Sequence, residues 1–528
     1  MQTFRDIIKG DYVYADKTKY VYDLINGVKY YFLSRPRRFG KSLLLDTISE
    51  AFSGDRELFR GLWIYGSDFA FEKHPVIRLD MSNISNENPE ILKRSLIADL
   101  SARMRALGIA VSDGEPGDLL KTFIMETREK YGQRVVVLVD EYDKPILDHL
   151  LNAEIAEANR QVLRSLFGVL KSMDPYLRFA FVTGVSKFTK TSIFSELNNL
   201  LDITMTEKYA SICGIEINEL DLFFSEHIAE LKTANGLDIY PSVRNEILSW
   251  YDGYSWDGRH RVINPFSLLS FFEQKRFYGF WYASGTPKFL IDIVKSNPAE
   301  YINMKNPIMT EYMLDSADFS KLEAIPLFFQ SGYLTVKGVH YASGAPTYIL
   351  DMPNQEVRDA FNKNIVASFT DVGHAGAERA RVEINQALMD GDLQKTLSIL
   401  RSLFSSIPYE LRVDREAYYH SIFYAIMTVL GFDIDAEVSV ANGRVDAVLE
   451  FSDKVYVMEF KYINCPPDAK DEDKRKLIDQ ALSEALKQIL EKGYANPYIS
   501  SGKTIYRVAF AFLGRDQIEM ACFHLPPR

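Results

Sequence analysis

The feature that most constrains the fold is a loop between a short apolar segment and an amphipathic run near the start of the chain. Residues 28–33 read VKYYFL, an aromatic and β-branched pattern that predicts a buried strand. Ser-Arg-Pro-Arg-Arg-Phe-Gly-Lys-Ser follows at 34–42, and then LLLDTISEAF, which has the apolar spacing of a helix. A strand, a loop ending in Gly-Lys-Ser and a helix are the context in which backbone N–H groups and a helix N-terminus bind phosphate.

In such a loop Lys41 would reach the β- and γ-phosphates of a nucleotide, and the Ser42 hydroxyl would bind Mg²⁺. The general pattern has Gly where this chain has Arg35, so the alternative is a basic loop that caps a helix without binding nucleotide. The residues predicted to form the nucleotide site around the loop are Arg37, Arg38, Phe39, Gly40, Lys41, Ser42 and Leu43.

A second segment, RVVVLVDEYD at 134–143, supplies the acidic half of this site. Its apolar run, 135–139, fits a parallel strand that is buried on both faces. Asp140 at the strand end would hold Mg²⁺, and Glu141 would orient or deprotonate the attacking water. Taken alone, the segment could be a central strand followed by a solvated acidic turn; its combination with Lys41 and Ser42 favours the nucleotide site.

Two further segments, VIRLD at 76–80 and RFAFVT at 178–183, also predict strands. Either Thr183 or Ser186 could sense the γ-phosphate at the second strand's tip, although both residue types are common in turns. Strands separated by helical stretches form a βαβ series, so the first ~210 residues are expected to be a doubly wound α/β domain with a parallel sheet.

A second group of reactive residues lies near the other end of the chain. The segment from Val445 to Phe451 contains Asp446 at its start, and the alternating strand KVYVMEFK ends in Glu459 and Lys461 on one face. A hairpin would bring Asp446 near them. Carboxylates are the ligands that hard divalent cations prefer, and a neighbouring Lys can stabilise developing negative charge, which is the chemistry of phosphodiester hydrolysis.

YADKTKYVYDLI, SRPRRFGKSLLLDTI and VVVLVDEYDKPI together resemble an AAA-ATPase-like family often fused to a PD-(D/E)XK nuclease domain. The resemblance includes WYDGYSW…NPFSLLSFF and FQSGYLTV in the middle, and Arg in place of the first Gly is usual in that family. It implies a P-loop domain at 1–210 and a restriction-endonuclease-like α/β domain at 376–528. For the middle, 211–375, the residues themselves predict a helical lid and a winged-helix-like part, because helices are followed by two strands at 331–336 and 347–351. Asp-x12-Glu-x-Lys has the form of the nuclease signature.

The resemblance also implies that Glu416 completes the metal site and that Gln488 follows the nuclease core. The family's usual Gln-x3-Tyr spacing is not met, because Tyr494 lies six residues after Gln488. Glu416 could equally be a carboxylate in the first turn of a helix, and Gln488 an exposed helix residue. ATPases of this broad class commonly assemble as rings or dimers with an Arg supplied in trans, and Arg35, Arg37, Arg38 and Arg178 are candidates.

Composition limits the cellular setting and the partners. Cys213, Cys465 and Cys522 are too few for a disulfide framework and match no zinc site. The absence of a signal-like N-terminus and of a long apolar run predicts a cytoplasmic protein with no membrane partner. The net charge of −11 shows no broad basic face for nucleic acid, so such binding requires a local, metal-dependent site.

These observations favour an ATP-binding and ATP-hydrolysing protein coupled to a metal-dependent nuclease, with ATP and Mg²⁺ as cofactors and Mn²⁺ as an alternative at the nuclease site. The expected partner is nucleic acid, DNA before RNA, with homo-oligomerisation left open; a role in defence against foreign DNA follows only from the resemblance. The alternatives are a nucleotide-dependent switch whose C-terminal domain binds without cutting, and a small-molecule kinase. The intact Asp446, Glu459 and Lys461 weigh against both.

Overall fold

The architecture comes from a computed structural model. It describes residues 3–150, 152–187, 193–194, 197, 199–234, 242–283, 290, 306–315, 324–342, 345–369, 373–405, 438–440, 443–463, 469–513 and 517–525. The described residues divide into two compact units, one drawn from 1–289 and 304–357 and the other from 290–303 and 358–528. The first unit takes in most of the predicted middle region together with the predicted P-loop domain. Within the described ranges, no helix is long and apolar enough to span a bilayer.

The first unit is built on a five-stranded parallel sheet with the strand order β2-β3-β4-β1-β5. Its strands and their flanking helices are, in chain order, α1 (Phe4–Lys9), α2 (Thr18–Ile25), β1 (Tyr30–Ser34), α3 (Lys41–Ala51), β2 (Val76–Asp80), α4 (Pro89–Ala106), α5 (Pro116–Tyr131), β3 (Val135–Asp140), α6 (Lys144–Leu147), α7 (Ala153–Ser172), β4 (Leu177–Gly184) and β5 (Leu201–Asp202). The predicted doubly wound α/β domain is confirmed.

The sheet forms because its strands are apolar along nearly their whole length. Every residue of β1 and β3 is buried, as expected for parallel strands that are covered on both faces by helices. In the register of the sheet, Asp80 pairs with Asp140 and Ser34 pairs with Gly184, so all four lie at the carboxyl edge. Polar residues that follow the strands therefore converge at this edge.

The rest of the first unit is helical and carries a small antiparallel sheet of order β6-β8-β7. Its elements are α8 (Ile217–Phe223), α9 (Ser225–Ala234), α10 (Ser242–Tyr251), α11 (Pro265–Gln274), α12 (Phe280–Ala283), β6 (Ile308–Thr310), α13 (Glu311–Asp315), α14 (Ala324–Ser331), β7 (Thr335–Ala342) and β8 (Ala345–Asp351), followed by the start of α15 (Gln355–Phe369). The helical middle and the β7–β8 hairpin match the sequence prediction. Tyr251, Tyr254 and Trp256 are buried, so these aromatic side chains pack in the interior of the unit.

The second unit is centred on a mixed sheet of order β11-β12-β13-β14, in which β12 and β13 are parallel and the outer pairs are antiparallel. Beyond α15, its elements are α16 (Gly373–Asp390), α17 (Leu393–Ser405), β9 (Val438–Val440), β10 (Gly443–Val445), β11 (Ala447–Glu450), β12 (Lys454–Ile463), α18 (Asp471–Glu491), β13 (Thr504–Leu513) and β14 (Gln517–Leu525). Ile478, Ala481 and Ala485 of α18 pack on Ala509 and Ala511 of β13. The predicted C-terminal α/β domain is confirmed.

Gly184 offers a test of the packing at the carboxyl edge. A Cβ atom at this position would lie 2.5 Å from the Tyr142 ring and 2.7 Å from Asp143 Oδ1, and both side chains are fully buried. Gly184→Ala should therefore lower the free energy of unfolding by roughly 1–3 kcal/mol, the usual cost of overpacking. Gly66→Ala is the matched control, since nothing lies within 4 Å of its added Cβ. Equal urea midpoints for the two variants would contradict this packing.

The buried Glu356 carboxyl should make the free energy of unfolding depend on pH. Burial raises the pKa of this carboxyl from 4.5 to about 7, although the Trp281 backbone N–H, which donates to Glu356 Oε1 at 2.8 Å, opposes the shift. Below pH 4.5 the carboxyl is protonated in both the folded and the unfolded chain. As the pH rises towards 7, only the unfolded chain ionises freely, so the folded state loses up to about 3 kcal/mol.

Glu356→Gln removes this titration and should therefore stabilise the protein more at pH 8 than at pH 5. The measurement is the difference in thermal midpoint between variant and parent at each pH. A difference that stays constant from pH 5 to pH 8 would contradict a raised pKa at Glu356.

Candidate functional sites

The loop after β1 leads directly into the N-terminus of a helix. Gly40 is in the left-handed region with φ of 92° and caps the N-terminus of α3, which begins at Lys41. Arg38 is also left-handed, with φ of 68°, a conformation that is strained for a residue with a side chain. Strain of this kind in a loop is frequently associated with function. Ser42 and Leu43 lie in the first turn of α3, where their N–H groups face the loop end of the helix.

Lys41 and Arg35 hold this loop from opposite ends. Lys41 is only 4% exposed, and its Nζ donates to the carbonyl oxygens of Arg35 and Pro36 at 2.9 and 3.0 Å. The buried Arg35 guanidinium donates to the carbonyls of Ser34 and Thr204 at 2.8 and 2.9 Å and lies 3.8 Å from the Trp256 ring centroid. Burial lowers the pKa of Arg35 to about 10. Arg thus replaces the usual Gly as an internal brace of the loop.

The acidic residues predicted for the site lie at the end of β3. Asp140 is 2% exposed and accepts a hydrogen bond of 2.7 Å from the Thr183 hydroxyl. Glu141 has a left-handed backbone with φ of 51°. Burial raises its pKa, while the charges of Lys41 and Arg37 act in the opposite direction, so the carboxylate lies within the electrostatic reach of the loop. The structure therefore brings Lys41, Asp140, Glu141 and Thr183 to one edge of the sheet.

Asp143, which the sequence analysis did not single out, anchors the turn after Glu141. Its buried carboxylate accepts the backbone N–H of Val185, at 3.1 and 3.2 Å, and both the N–H and the hydroxyl of Ser186 at 2.6 Å. Ser186 is thereby engaged with Asp143, as Thr183 is with Asp140. Asp143 lies two residues after Glu141 in the sequence, and a third acidic residue so close to the Asp140-Glu141 pair was the available signal.

Arg78 is a second residue that the sequence analysis missed. It lies on β2 and donates to Asp46 Oδ1 at 2.9 Å and to the carbonyl oxygen of Ser42 at 3.3 Å. A charged Arg inside the otherwise apolar strand VIRLD was the sequence feature that could have identified it. The contact ties the first turn of α3 to the sheet.

The four arginines considered as donors to a second subunit differ in position. Arg35 is fully buried, and Arg178 lies at the start of β4, away from the carboxyl edge. Arg37 is half-buried, and Arg38 is exposed with its guanidinium 3.8 Å from the Phe266 ring centroid. Phe39 is buried against Tyr254 and Trp256, so a contribution of Phe39 to nucleotide binding would come from its backbone.

In the second unit, the β11–β12 pairing brings Asp446 beside Glu459. Ala447 pairs with Met458, and Asp446 Oδ2 accepts the Phe460 N–H at 2.8 Å. Glu459 is 2% exposed, and one of its oxygens, Oε2, has no hydrogen-bond partner. Burial, and then the charge of Asp446, raise the pKa of Glu459 to about 7.

Lys461 and Gln488 complete this cluster. Lys461 Nζ donates to Gln488 Oε1 at 2.8 Å and lies 3.4 Å from Glu459 Oε1. The Gln488 amide donates to the same Glu459 oxygen and lies 3.5 Å from the Tyr494 hydroxyl. The structure therefore places Gln488 against the Glu459–Lys461 pair and Tyr494 next to Gln488. Glu416 lies outside the described residues.

The residues of this cluster fit a hard divalent cation. An orphaned carboxylate oxygen in a buried site can be satisfied by a proton, a hydrogen-bond donor or a cation, and a second carboxylate beside it favours the cation. Asp446 and Glu459 are the residues that would hold the ion. Within the described part of the chain, no group of three or more His, Cys, Asp or Glu side chains could hold a metal. Mg²⁺ is often bound by only one or two carboxylates plus phosphate oxygens and water.

Comparisons with known proteins find a family for each of the two regions that contain the clusters. A family model described as "Predicted AAA-ATPase" matches residues 1–194, and a model of the PD-(D/E)XK nuclease superfamily matches residues 414–520. A protein of Azotobacter chroococcum mcd 1, named "Uncharacterized protein in vnfD 5'region", is 36% identical over 99% of this chain and 97% of its own length. No solved structure matches. The chain therefore belongs to the family of predicted AAA-ATPases that carry a C-terminal PD-(D/E)XK nuclease superfamily domain.

Proposed function

We propose that this chain hydrolyses ATP at the carboxyl edge of the parallel sheet and cleaves nucleic acid at the Asp446–Glu459–Lys461 cluster. The observation that carries the proposal is the buried Glu459 carboxylate, which has an unsatisfied oxygen and lies beside Asp446 and Lys461. A domain that only bound nucleic acid would have no chemical need for two adjacent carboxylates and a Lys. A role in defence against foreign DNA rests on the family resemblance alone.

In the ATPase site, each residue has a task that follows from its position. Lys41 would exchange its bonds to the loop carbonyls for bonds to the β- and γ-phosphates, and Ser42 and Asp140 would hold Mg²⁺. Thr183 orients Asp140 through its hydroxyl. Glu141, whose pKa is raised by burial, would accept a proton from the water that attacks the γ-phosphorus.

In the nuclease site, the reaction is attack of a water oxygen on phosphorus, with cleavage of the P–O bond to the leaving sugar oxygen. A Mg²⁺ or Mn²⁺ ion held by Asp446 and Glu459 would polarise the phosphate and acidify the water. Lys461 would stabilise the negative charge that develops on the phosphate oxygens. Gln488 holds Lys461 and Glu459 in position through its amide, so both ends of the pair stay oriented.

The ATPase assignment predicts a large loss of turnover in two variants. Glu141→Gln removes the base and should lower kcat for ATP hydrolysis by roughly 10²–10⁴-fold. Lys41→Ala should weaken nucleotide binding and hydrolysis together, because it removes the main positive charge next to the phosphates. The measurement is phosphate release with MgATP. Lys171→Ala and Glu129→Gln, both at exposed helix positions, are matched controls, and full activity of Lys41→Ala would refute this site.

The nuclease assignment predicts metal-dependent cleavage that is lost in Asp446→Ala, Glu459→Ala and Lys461→Ala. Gln488→Ala should lose less, about 10–100-fold, since it acts by orienting other groups. The assay uses labelled single- and double-stranded DNA and RNA with Mg²⁺, Mn²⁺ or EDTA, with and without ATP. Lys492→Ala, an exposed position, is the matched control for Lys461. Cleavage that persists in Asp446→Ala, or in EDTA, would rule out the proposed chemistry.

A further inference from the structure

The loop after β1, residues 35–40, is called the phosphate loop below. It packs against the helical part of the first unit along residues 35–39. Consecutive loop residues from 35 to 39 each meet an aromatic side chain or a glycine from that part. The pairs are Arg35 with Trp256, Pro36 with Gly332, Arg37 with Trp281, Arg38 with Phe266, and Phe39 with Tyr254 and Trp256. The loop is thus braced on a second side, in addition to its contacts with the sheet.

Trp281 makes the polar contact in this set. Its indole N–H donates to the carbonyl oxygen of Arg37 at 3.0 Å, and its backbone N–H donates to Glu356 Oε1 at 2.8 Å. Trp281 is 6% exposed and packs beside the rings of Tyr254 and Tyr333. One residue therefore connects the loop backbone to a side chain in the first turn of α15.

Glu356 is an unusual acceptor for such a contact. It is fully buried, and Gln at this position could accept the same N–H without the cost of burying an ionisable carboxyl. Asn354 accepts the Val357 N–H at 3.1 Å, so the start of α15 is itself fixed at this point. Glu356 thus presents a firmly held acceptor to Trp281.

Gly332 shows how closely the phosphate loop and the helical part of the first unit approach one another. A Cβ atom at Gly332 would lie 2.8 Å from two carbon atoms of Pro36 and 3.4 Å from the Trp281 ring, and its φ of 91° already disfavours a side chain. Pro36 therefore packs directly on the Gly332 backbone, with the Trp281 ring beside them.

We propose that Trp281 and Glu356 are positioning residues of the nucleotide site, which hold the phosphate loop through the Arg37 carbonyl and tie it to the first turn of α15. The inference rests on the proposed ATPase function, because it assigns the loop its task. α15 is also where the chain passes from the first unit, which ends at Val357, to the second, which resumes at Arg358. Nucleotide binding to the loop would then change the amide hydrogen exchange at the start of this helix.

The test compares Trp281→Phe, which keeps a ring but loses the indole donor, with Trp63→Phe at an exposed position. In nucleotide-free protein, amide hydrogen exchange of residues 37–41 should speed up in Trp281→Phe only. The KM for MgATP should rise about three- to tenfold, the effect of one hydrogen bond, with kcat within about twofold. Addition of MgADP should alter exchange at residues 355–361 in the parent and in Trp63→Phe, and not in Trp281→Phe.

Glu356 gives a second, independent comparison. Glu356→Ala should reproduce the faster loop exchange, and Glu356→Gln should restore slow exchange because its amide oxygen still accepts the Trp281 N–H. Glu273→Ala, at an exposed site on α11, controls for the loss of a carboxylate. Unchanged loop exchange and KM in an active Trp281→Phe protein would overturn this inference alone. Absence of ATP hydrolysis by the parent would instead overturn the proposed function.

Discussion

Burial of charged side chains at the carboxyl edge of the parallel sheet is the constraint on which the nucleotide half of the molecule depends. Arg35, Lys41, Asp140 and Asp143 are each 4% exposed or less. Removing a charge from water is strongly unfavourable unless hydrogen bonds replace the solvent. Lys41 is satisfied by backbone carbonyls, and Asp143 by N–H groups and the Ser186 hydroxyl. Arg35 donates its terminal nitrogens to backbone carbonyls and keeps Nε without a partner. Each of these bonds also fixes a piece of backbone, so the loop and the turn after β3 are held in place together.

In the second unit, the buried Glu459 carboxylate is only partly satisfied by hydrogen bonds. Lys461 and Gln488 satisfy one oxygen of Glu459, and the other oxygen is left without a partner. Asp446 adds negative charge to the same place, which raises the pKa of Glu459. A fully bonded cluster would be a structural brace, as Asp143 is in the first unit. A cluster of two carboxylates and one Lys that leaves one carboxylate oxygen unbonded is suited to a cation and to the phosphate that the cation would bring.

The strands and helices that carry the candidate residues were predictable because their patterns are local. Gly-Lys-Ser after an apolar strand, Asp140 and Glu141 at the end of a second, and the alternation of Glu459 and Lys461 are all readable over a few residues. Their strands and helices occur close to the predicted positions. The placement of Gln488 against Lys461 came from the family resemblance, since nothing in the local pattern of α18 distinguishes it from an exposed helix residue.

The residues that the sequence analysis missed act over long separations. Arg35 was considered as a residue that might reach a neighbouring subunit, yet it is an internal brace that bonds to residues near 204–210 and lies against Trp256. Trp281 contacts the loop at Arg37 from more than 240 residues away, and Glu356 bonds to Trp281 across 75 residues. An aromatic residue or a Glu in a helical segment has no local signature for such a contact.

The sequence by itself determined the type of the strands and helices that carry the candidate residues and the chemistry available at their ends, because side-chain periodicity and residue type are local properties. Only the tertiary structure decided which of the charged residues became braces and which kept unsatisfied atoms. That distinction depends on which donors and acceptors from distant segments reach each buried group, as Ser186 reaches Asp143 and Gln488 reaches Glu459.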